Sequence, residues 1–303
     1  MSKQPVTPRL PLFQPTELRD QMRFFQVPAR GWAWGLLALL LAAALVFAAM
    51  LIGNVAMMLD PAFAASLFET GASGSLTDVT SALVMTPAVF LINNLSIAAF
   101  IPVAVLASWL IYKQGFGWLS SVVGRFRWRW WGMALAVFAI GYAIYYAIQL
   151  ALFGPQSFFG DMSWRSSSLV LIIGIVLTTP LQCAGEEFLV RGLVARSIAA
   201  IIRPRLIGLA ASAIGSSLLF MWLHSAADVW LNSYYTCVGL MLWWLVWRTG
   251  GLEAAVAFHI INNLMSEINV PFTDISQMMD RSAGQGSPWI LLDLGVQLIL
   301  VLL

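Results

Sequence analysis

Residues 169–205 read LVLIIGIVLTTPLQCAGEEFLVRGLVARSIAAIIRPR, and this stretch decides the fold. Its first seventeen residues carry no charge, and Glu186, Glu187 and Arg191 then follow inside the same apolar run. An apolar helix of about 20 residues crosses a hydrocarbon core of ~30 Å, where no water pairs with exposed backbone groups. A helix from Leu169 to Ile202 would be ~50 Å long at 1.5 Å per residue, longer than the core. Its arginine-bearing end is therefore expected to project into the cytoplasm. Pro204, between Arg203 and Arg205, marks the turn that follows.

Similar runs flank this one. They cover 32–59, 85–112, 131–153, 206–224, 234–247, 254–270 and 289–303, the second interrupted by Pro87, Asn93, Asn94 and Pro102. The 303 residues are 60% hydrophobic and 10% charged, with a mean hydropathy of +0.83. Soluble domains carry roughly 25% charged residues, so this composition belongs to membrane proteins. The expected fold is all-α: one polytopic transmembrane bundle of about eight spans, with both termini cytoplasmic. Residues 1–31 form a cytoplasmic segment in which 16–25 reads as a short interfacial helix, Thr16 capping it and Leu18, Met22 and Phe25 sharing a face. Residues 32–303 form a single transmembrane domain. The first run is too long for the h-region of a cleavable signal peptide and reads as a retained anchor.

Orientation follows from the cations. With the N-terminus inside, the inner segments hold Lys3, Arg9, Arg19, Arg23, Arg30, Lys113, Arg125, Arg127, Arg129, Arg191, Arg196, Arg203, Arg205 and Arg248. The outer loops hold Arg165 and Arg281, so the ratio is fourteen to two, a strong positive-inside bias. Arg125, Arg127 and Arg129 alternate with aromatic residues between two spans, which suits a membrane-surface loop and not a nucleic-acid site. Cys183 and Cys237 have no CxxC partner and read as buried thiols.

Ionisable groups within a bilayer cost ~2.5–3.5 kcal/mol each on insertion scales, which marks them as functional. They are few here: Glu186, Glu187, Arg191, His224 and His259, with the amide of Asn263 beside them. Glu186 lies eighteen residues before Pro204 and His224 twenty after it, so an antiparallel hairpin sets them at one height. His259 is eight residues beyond the Gly250-Gly251 turn, which puts it ~12 Å deep, in the same layer. Residues four apart share a helix face. Glu187 and Arg191 can therefore neutralise each other, Glu186 is left free to meet the histidines, Asn263 lies one turn from His259, and Phe220 walls the pocket beside His224. Asn93, Asn94, Gln149 and Gln182 read as interhelical hydrogen bonds, and Asp228 as a loop residue.

A carboxylate, two imidazoles and an amide in a semi-dry site suit two schemes. Glu186 could take a proton from water while Asn263 or an imidazole stabilises the oxyanion. Alternatively Glu186, His224 and His259 could hold a zinc ion with a fourth position for water. Both schemes hydrolyse an amide. No Ser-His-Asp or Cys-His arrangement stands out.

The same residues resemble a known family. Glu186, Glu187 and Arg191 are similar to the EExxxR motif of the CAAX protease and bacteriocin-processing (Abi) family of intramembrane proteases; Phe220 with His224 is similar to its FxxxH motif, and His259 with Asn263 to its HxxxN motif. The resemblance covers 169–270, in the family's order. It implies an intramembrane endopeptidase in which Glu186 activates water with help from His224 and His259, Asn263 serves the oxyanion, and Glu187 and Arg191 support the site. It also implies a peptide or lipidated-protein substrate, prenylated and CAAX-like or of bacteriocin type, cleaved near a C-terminus. The implied setting is a bacterial inner membrane with the active site facing the cytoplasm. Zinc and metal-free mechanisms are both argued for the family. The alternative is a non-catalytic immunity protein or scaffold that binds a peptide or partner in the same cavity. A transporter would bring paired internal repeats, and the sequence shows none.

Overall fold

Backbone groups in a lipid core must pair within their own segment, and the chain answers with helices. The computed structural model describes residues 21–26, 31–70, 82–160, 162–278 and 280–302. Among these residues there is no strand, only one isolated bridge between Ser121 and Gly251. The helices are α1 (Trp32–Met57), α2 (Pro61–Thr70), α3 (Pro87–Ala98), α4 (Phe100–Tyr112), α5 (Phe116–Ser120), α6 (Trp128–Phe153) and α7 (Pro155–Phe159). Next come α8 (Ser168–Glu187), a π-helical stretch (Phe188–Ala195) and α9 (Arg196–Ile201), which together make one long rod. The chain closes with α10 (Arg205–Leu223), α11 (Val229–Thr249), α12 (Glu253–Ser266) and α13 (Ile290–Leu302).

Local chemistry sets the ends. Thr86 caps α3 by accepting from the Val89 N–H, and Pro87 fills the first turn, where no donor is missed. Asp228 caps α11 through the N–H groups of Trp230 and Leu231. Gly250 ends α11 at φ 67°, a left-handed conformation that glycine adopts without strain. Pro102 is tolerated because it falls in the first turn of α4.

Among the described residues five helical stretches are long and apolar enough to cross a membrane: Trp32–Met57, Pro87–Tyr112, Trp128–Phe153, Ser168–Ile201 and Arg205–Leu223. Their outward faces carry bare apolar side chains such as Phe47, Ile52, Ile140 and Val176, a surface that suits lipid. Helix α11 adds 21 residues, while α12 and α13 have 14 and 13, below the ~20 that a lone span needs.

Successive long helices run antiparallel, so the bundle has two distinct ends. At one end Val122 N–H donates to Gly250 O, Arg127 pairs with Glu253 at 2.7 Å, and Gln21 reaches Leu119 O. At the other end Met85 N–H donates to Ser276 O, Thr86 bonds Asp60, and Ser168 bonds Pro271 O.

Two expectations change at the first end. The arginine-bearing end of the long helix does not stand free in water. Arg196 is fully buried, donating to Trp118 O, Leu119 O and Gln114 Oε1, with its guanidinium 4.3 Å from the Phe25 ring. A buried charge needs donors or acceptors around it, and the 113–127 segment folds over it to supply them. The N-terminal segment differs for the same reason. Residues 21–23 form one 3-10 turn, and Met22 and Phe25 are buried in protein, Phe25 stacked on Tyr112 at 3.9 Å. They plug the bundle and do not lie on a lipid surface. Thr16 and Leu18 lie outside the described residues.

Candidate active site

Pro180 sits within α8 and removes one backbone donor two turns before the glutamates. Gly185 lies against the carbonyl of Ile97 so closely that a Cβ there would collide with it. This contact brings α8 up against α3. Immediately after Glu187 the rod widens to a π-helix, a rare geometry that concentrates at functional positions. These features place Gln182 and Glu186 on the wall of a cavity of about 340 Å³ between α1, α3, α8, α10 and α12.

Glu186, His224 and Asn263 all line this cavity. Glu186 Oε2 lies 3.9 Å from His259 Nε2, with the Glu186 side chain 12% exposed and that of His259 3%. His259 Nδ1 lies 2.9 Å from Glu187 Oε1, which also accepts from Arg191 Nη1 at 3.0 Å. Glu187 thus neutralises Arg191 as expected, and in addition it orients His259. Arg191 donates as well to Gly239 O and lies 4.4 Å from the Phe220 ring. Phe220 packs against both imidazoles, its centroid 4.6 Å from His224 and 5.7 Å from His259.

His224 is held on several sides. Its Nδ1 is 2.8 Å from Phe220 O, and a carbonyl only accepts, so the proton sits on Nδ1. Tyr235 stacks on the ring at 3.9 Å, and Arg281 donates to the His224 carbonyl. Ser225, next in the chain, has φ 51°, a left-handed conformation uncommon outside glycine and often found at functional sites. Both imidazoles spend Nδ1 on a protein acceptor, so in the neutral rings each Nε2 keeps a lone pair.

Gln182 links the set: its amide donates to Glu186 Oε1 and its Oε1 accepts from Asn263 Nδ2 at 3.3 Å. The expected interhelical role of Gln182 is met, but the residue is also part of the site. Asn94 bonds Thr178 and Thr179 across the helices. Two lining residues escape a motif-based reading, Glu267 and Arg281. Glu267 accepts from Thr179 at 2.7 Å and sits four residues beyond Asn263, so its helix face carried the signal. Arg281 comes from a loop, where periodicity says nothing.

The zinc scheme needs three converging ligands. The free Nε2 atoms and the carboxylate are suitable donors. Among the described residues, however, no three His, Cys, Asp or Glu side chains come together as a metal-binding group. Tetrahedral bonds of ~2.0–2.1 Å would set two ligand atoms ~3.3 Å apart, closer than the 3.9 Å between Glu186 and His259. As placed, the residues do not fit zinc.

Glu187, Arg191 and Phe220, next to the lining residues on the arginine-rich side, are all buried. Met85, Ser225, Glu267, Met278 and Arg281, from the opposite end of the bundle, also line the cavity.

Residues 168–265 match the family model described as type II CAAX prenyl endopeptidase Rce1-like. Comparison with curated proteins gave no match, and comparison with solved structures gave none either. The matched segment spans α8 through α12 and contains Glu186, Glu187, Arg191, His224, His259 and Asn263.

Proposed function

We propose that this protein is a membrane-embedded endopeptidase that hydrolyses a peptide bond with water activated by Glu186. The observation that carries the proposal is the 3.9 Å gap between His259 Nε2 and Oε2 of Glu186, which lines the cavity. A water making hydrogen bonds of about 2.8 Å to both atoms bridges that gap. The match to the Rce1-like family supports the reaction class.

In the proposed reaction the water gives one proton to Glu186 and directs the other toward His259 Nε2. Its oxygen attacks the scissile carbonyl carbon, and the carbonyl oxygen takes the negative charge. The Asn263 amide, one N–H of which donates to Gln182 Oε1, offers its other N–H to that oxyanion. Glu186 then passes its proton to the amide nitrogen as the C–N bond breaks, releasing a carboxylate and an amine. Glu187 holds His259 in one tautomer and Arg191 holds Glu187, so neither need touch substrate. His224 lines the same cavity with a free Nε2 and contacts the leaving portion of the peptide. No step passes through a metal ion. The substrate class that fits is a peptide segment, lipidated or lying at the membrane, since Val46, Met50 and Leu223 give the cavity an apolar side.

The test uses purified protein in lipid nanodiscs with prenylated and unmodified peptide libraries, and mass spectrometry of the products. Defined cleavage products that disappear with Glu186→Gln support the proposal. Intact peptides that stay bound in both wild type and variant would instead identify a binding protein.

A further inference from the structure

Helix α12 carries two adjacent amides with different surroundings. Asn262 and Asn263 are consecutive, so their side chains leave the helix about 100° apart. Asn263 lines the cavity that holds Glu186. Asn262 is buried and lines a second cavity of about 230 Å³ with Tyr142, Tyr145, Tyr234, Asp293 and Gln297, side chains of α6, α11 and α13.

Hydrogen bonds join the two cavities through α12, and their direction is set at the Glu186 end. An ionised carboxylate only accepts, so Gln182 turns its –NH2 to Glu186 and its Oε1 to Asn263. Asn263 therefore gives Nδ2 to Gln182, at 3.3 Å, and turns its Oδ1 to Asn262. Asn262 Nδ2 donates to that oxygen, also at 3.3 Å. The Asn262 oxygen then faces the second cavity, where three donors converge on it. The Tyr142 hydroxyl lies at 2.6 Å, the Tyr234 hydroxyl at 3.1 Å and Gln297 Nε2 at 3.0 Å. Gln297 Nε2 donates to the Tyr234 hydroxyl as well, at 3.0 Å, which leaves the phenol proton for Asn262.

The consequence falls on Asn263. Turning its amide over would set two oxygens face to face at Gln182 and two –NH2 groups face to face at Asn262, and buried groups without a partner are costly. With Oδ1 held by Asn262 and one N–H given to Gln182, one N–H of Asn263 is left for a ligand in the cavity. Interhelical amide and hydroxyl bonds in membrane proteins commonly serve as packing glue. Packing alone does not need both ends of the chain to agree on which way the Asn263 amide points.

We propose that Asn262, held by Tyr142, Tyr234 and Gln297, is a positioning residue for the hydrolysis: it fixes the Asn263 amide so that its free N–H meets the oxyanion. Asn262 itself touches no substrate. The role rests on the endopeptidase reading of the site.

The test is a double-mutant cycle in lipid nanodiscs, with a peptide that the wild type cleaves and with thermal unfolding recorded for each variant. Asn262→Leu keeps the side-chain volume and removes the amide. The expected result is a fall in kcat of about tenfold or more, short of the ~10²–10³-fold loss expected when an oxyanion donor is removed outright, with KM unchanged. In a chain that already carries Asn263→Ala, the same substitution should cost nothing further in kcat, because residues that act through one another are not additive. A residue that only packs the helices would cost the same in both backgrounds; that result, or an unchanged kcat, overturns the proposal. If Asn262→Leu does not fold, Tyr142→Phe takes its place in the cycle, since it keeps the ring and removes one donor. It should give a smaller fall in kcat that also vanishes beside Asn263→Ala, and a fall that persists there overturns the proposal. A wild-type protein that cleaves no peptide overturns the endopeptidase reading and the positioning role with it, whereas wild-type cleavage that ignores Asn262 overturns the positioning role alone.

Discussion

Glu186 and Glu187 are neighbours in sequence, yet the structure gives them separable roles, which a pair of glutamine substitutions resolves. Glu186 faces the cavity, and its hydrogen bond comes from Gln182. Glu186→Gln keeps that shape and leaves no buried charge unpaired, so its cost in stability should be small. Loss of a general base costs about 10²–10⁴ in rate. Glu187 is fully buried and sits 3.0 Å from Arg191. At that separation and an effective dielectric of ~20 the Coulomb attraction is about 5 kcal/mol. Removing one partner of a buried pair costs about 3–5 kcal/mol, because the remaining charge is uncompensated. Glu187→Gln should therefore lower both thermal stability and activity. Glu187→Gln with Arg191→Met removes both charges and should recover much of the stability, since an apolar replacement of a buried pair is often neutral. Activity should stay low, because the amide is a weaker anchor for His259 Nδ1. The assay pairs thermal unfolding in detergent with cleavage kinetics. Equal stability losses for the two single variants, or full activity in the double variant, would refute the assigned roles.

Three further outcomes follow from the geometry. Asn263→Ala should lower kcat by about 10²–10³ with little change in KM, as loss of an oxyanion donor does, and a change confined to KM would argue against that role. Chelation should leave activity unchanged, because the described side chains do not form a three-ligand group; loss on chelation that zinc restores would reverse this reading. Asp228, outside the spanning segments, has its carboxyl held below the usual carboxylate range chiefly by the Leu231 N–H, with further help from Gly284. A depressed carboxylate stabilises the fold above the unfolded value of about 3.9, and that contribution is lost as pH falls through the lower folded value. Asp228→Ala should thus be less stable than wild type at pH 7, with the gap closing below about pH 4; a gap independent of pH would remove the cap from the explanation.

Much of the site was legible because helical geometry is regular. The fixed rise per residue put Glu186 and His259 at one depth, and the four-residue repeat separated Glu186 from Glu187 and joined Glu187 to Arg191. Glu267 lay on the same periodic face as His259 and Asn263 and was readable by the same rule. Arg281 was not, because loop residues carry no period.

What the sequence determined by itself is the class of structure and the chemistry of its polar layer: long apolar runs must be helices in lipid, and charges among them must find partners. Tertiary structure alone decided how those partners were chosen. His259 takes Glu187 through Nδ1, Arg196 is sheathed by carbonyls of the 113–127 segment, and Met22 and Phe25 fill the bundle where an interfacial helix was expected. Spacing along a helix fixes height and face, but which helices stand beside one another depends on side-chain packing between segments far apart in the chain.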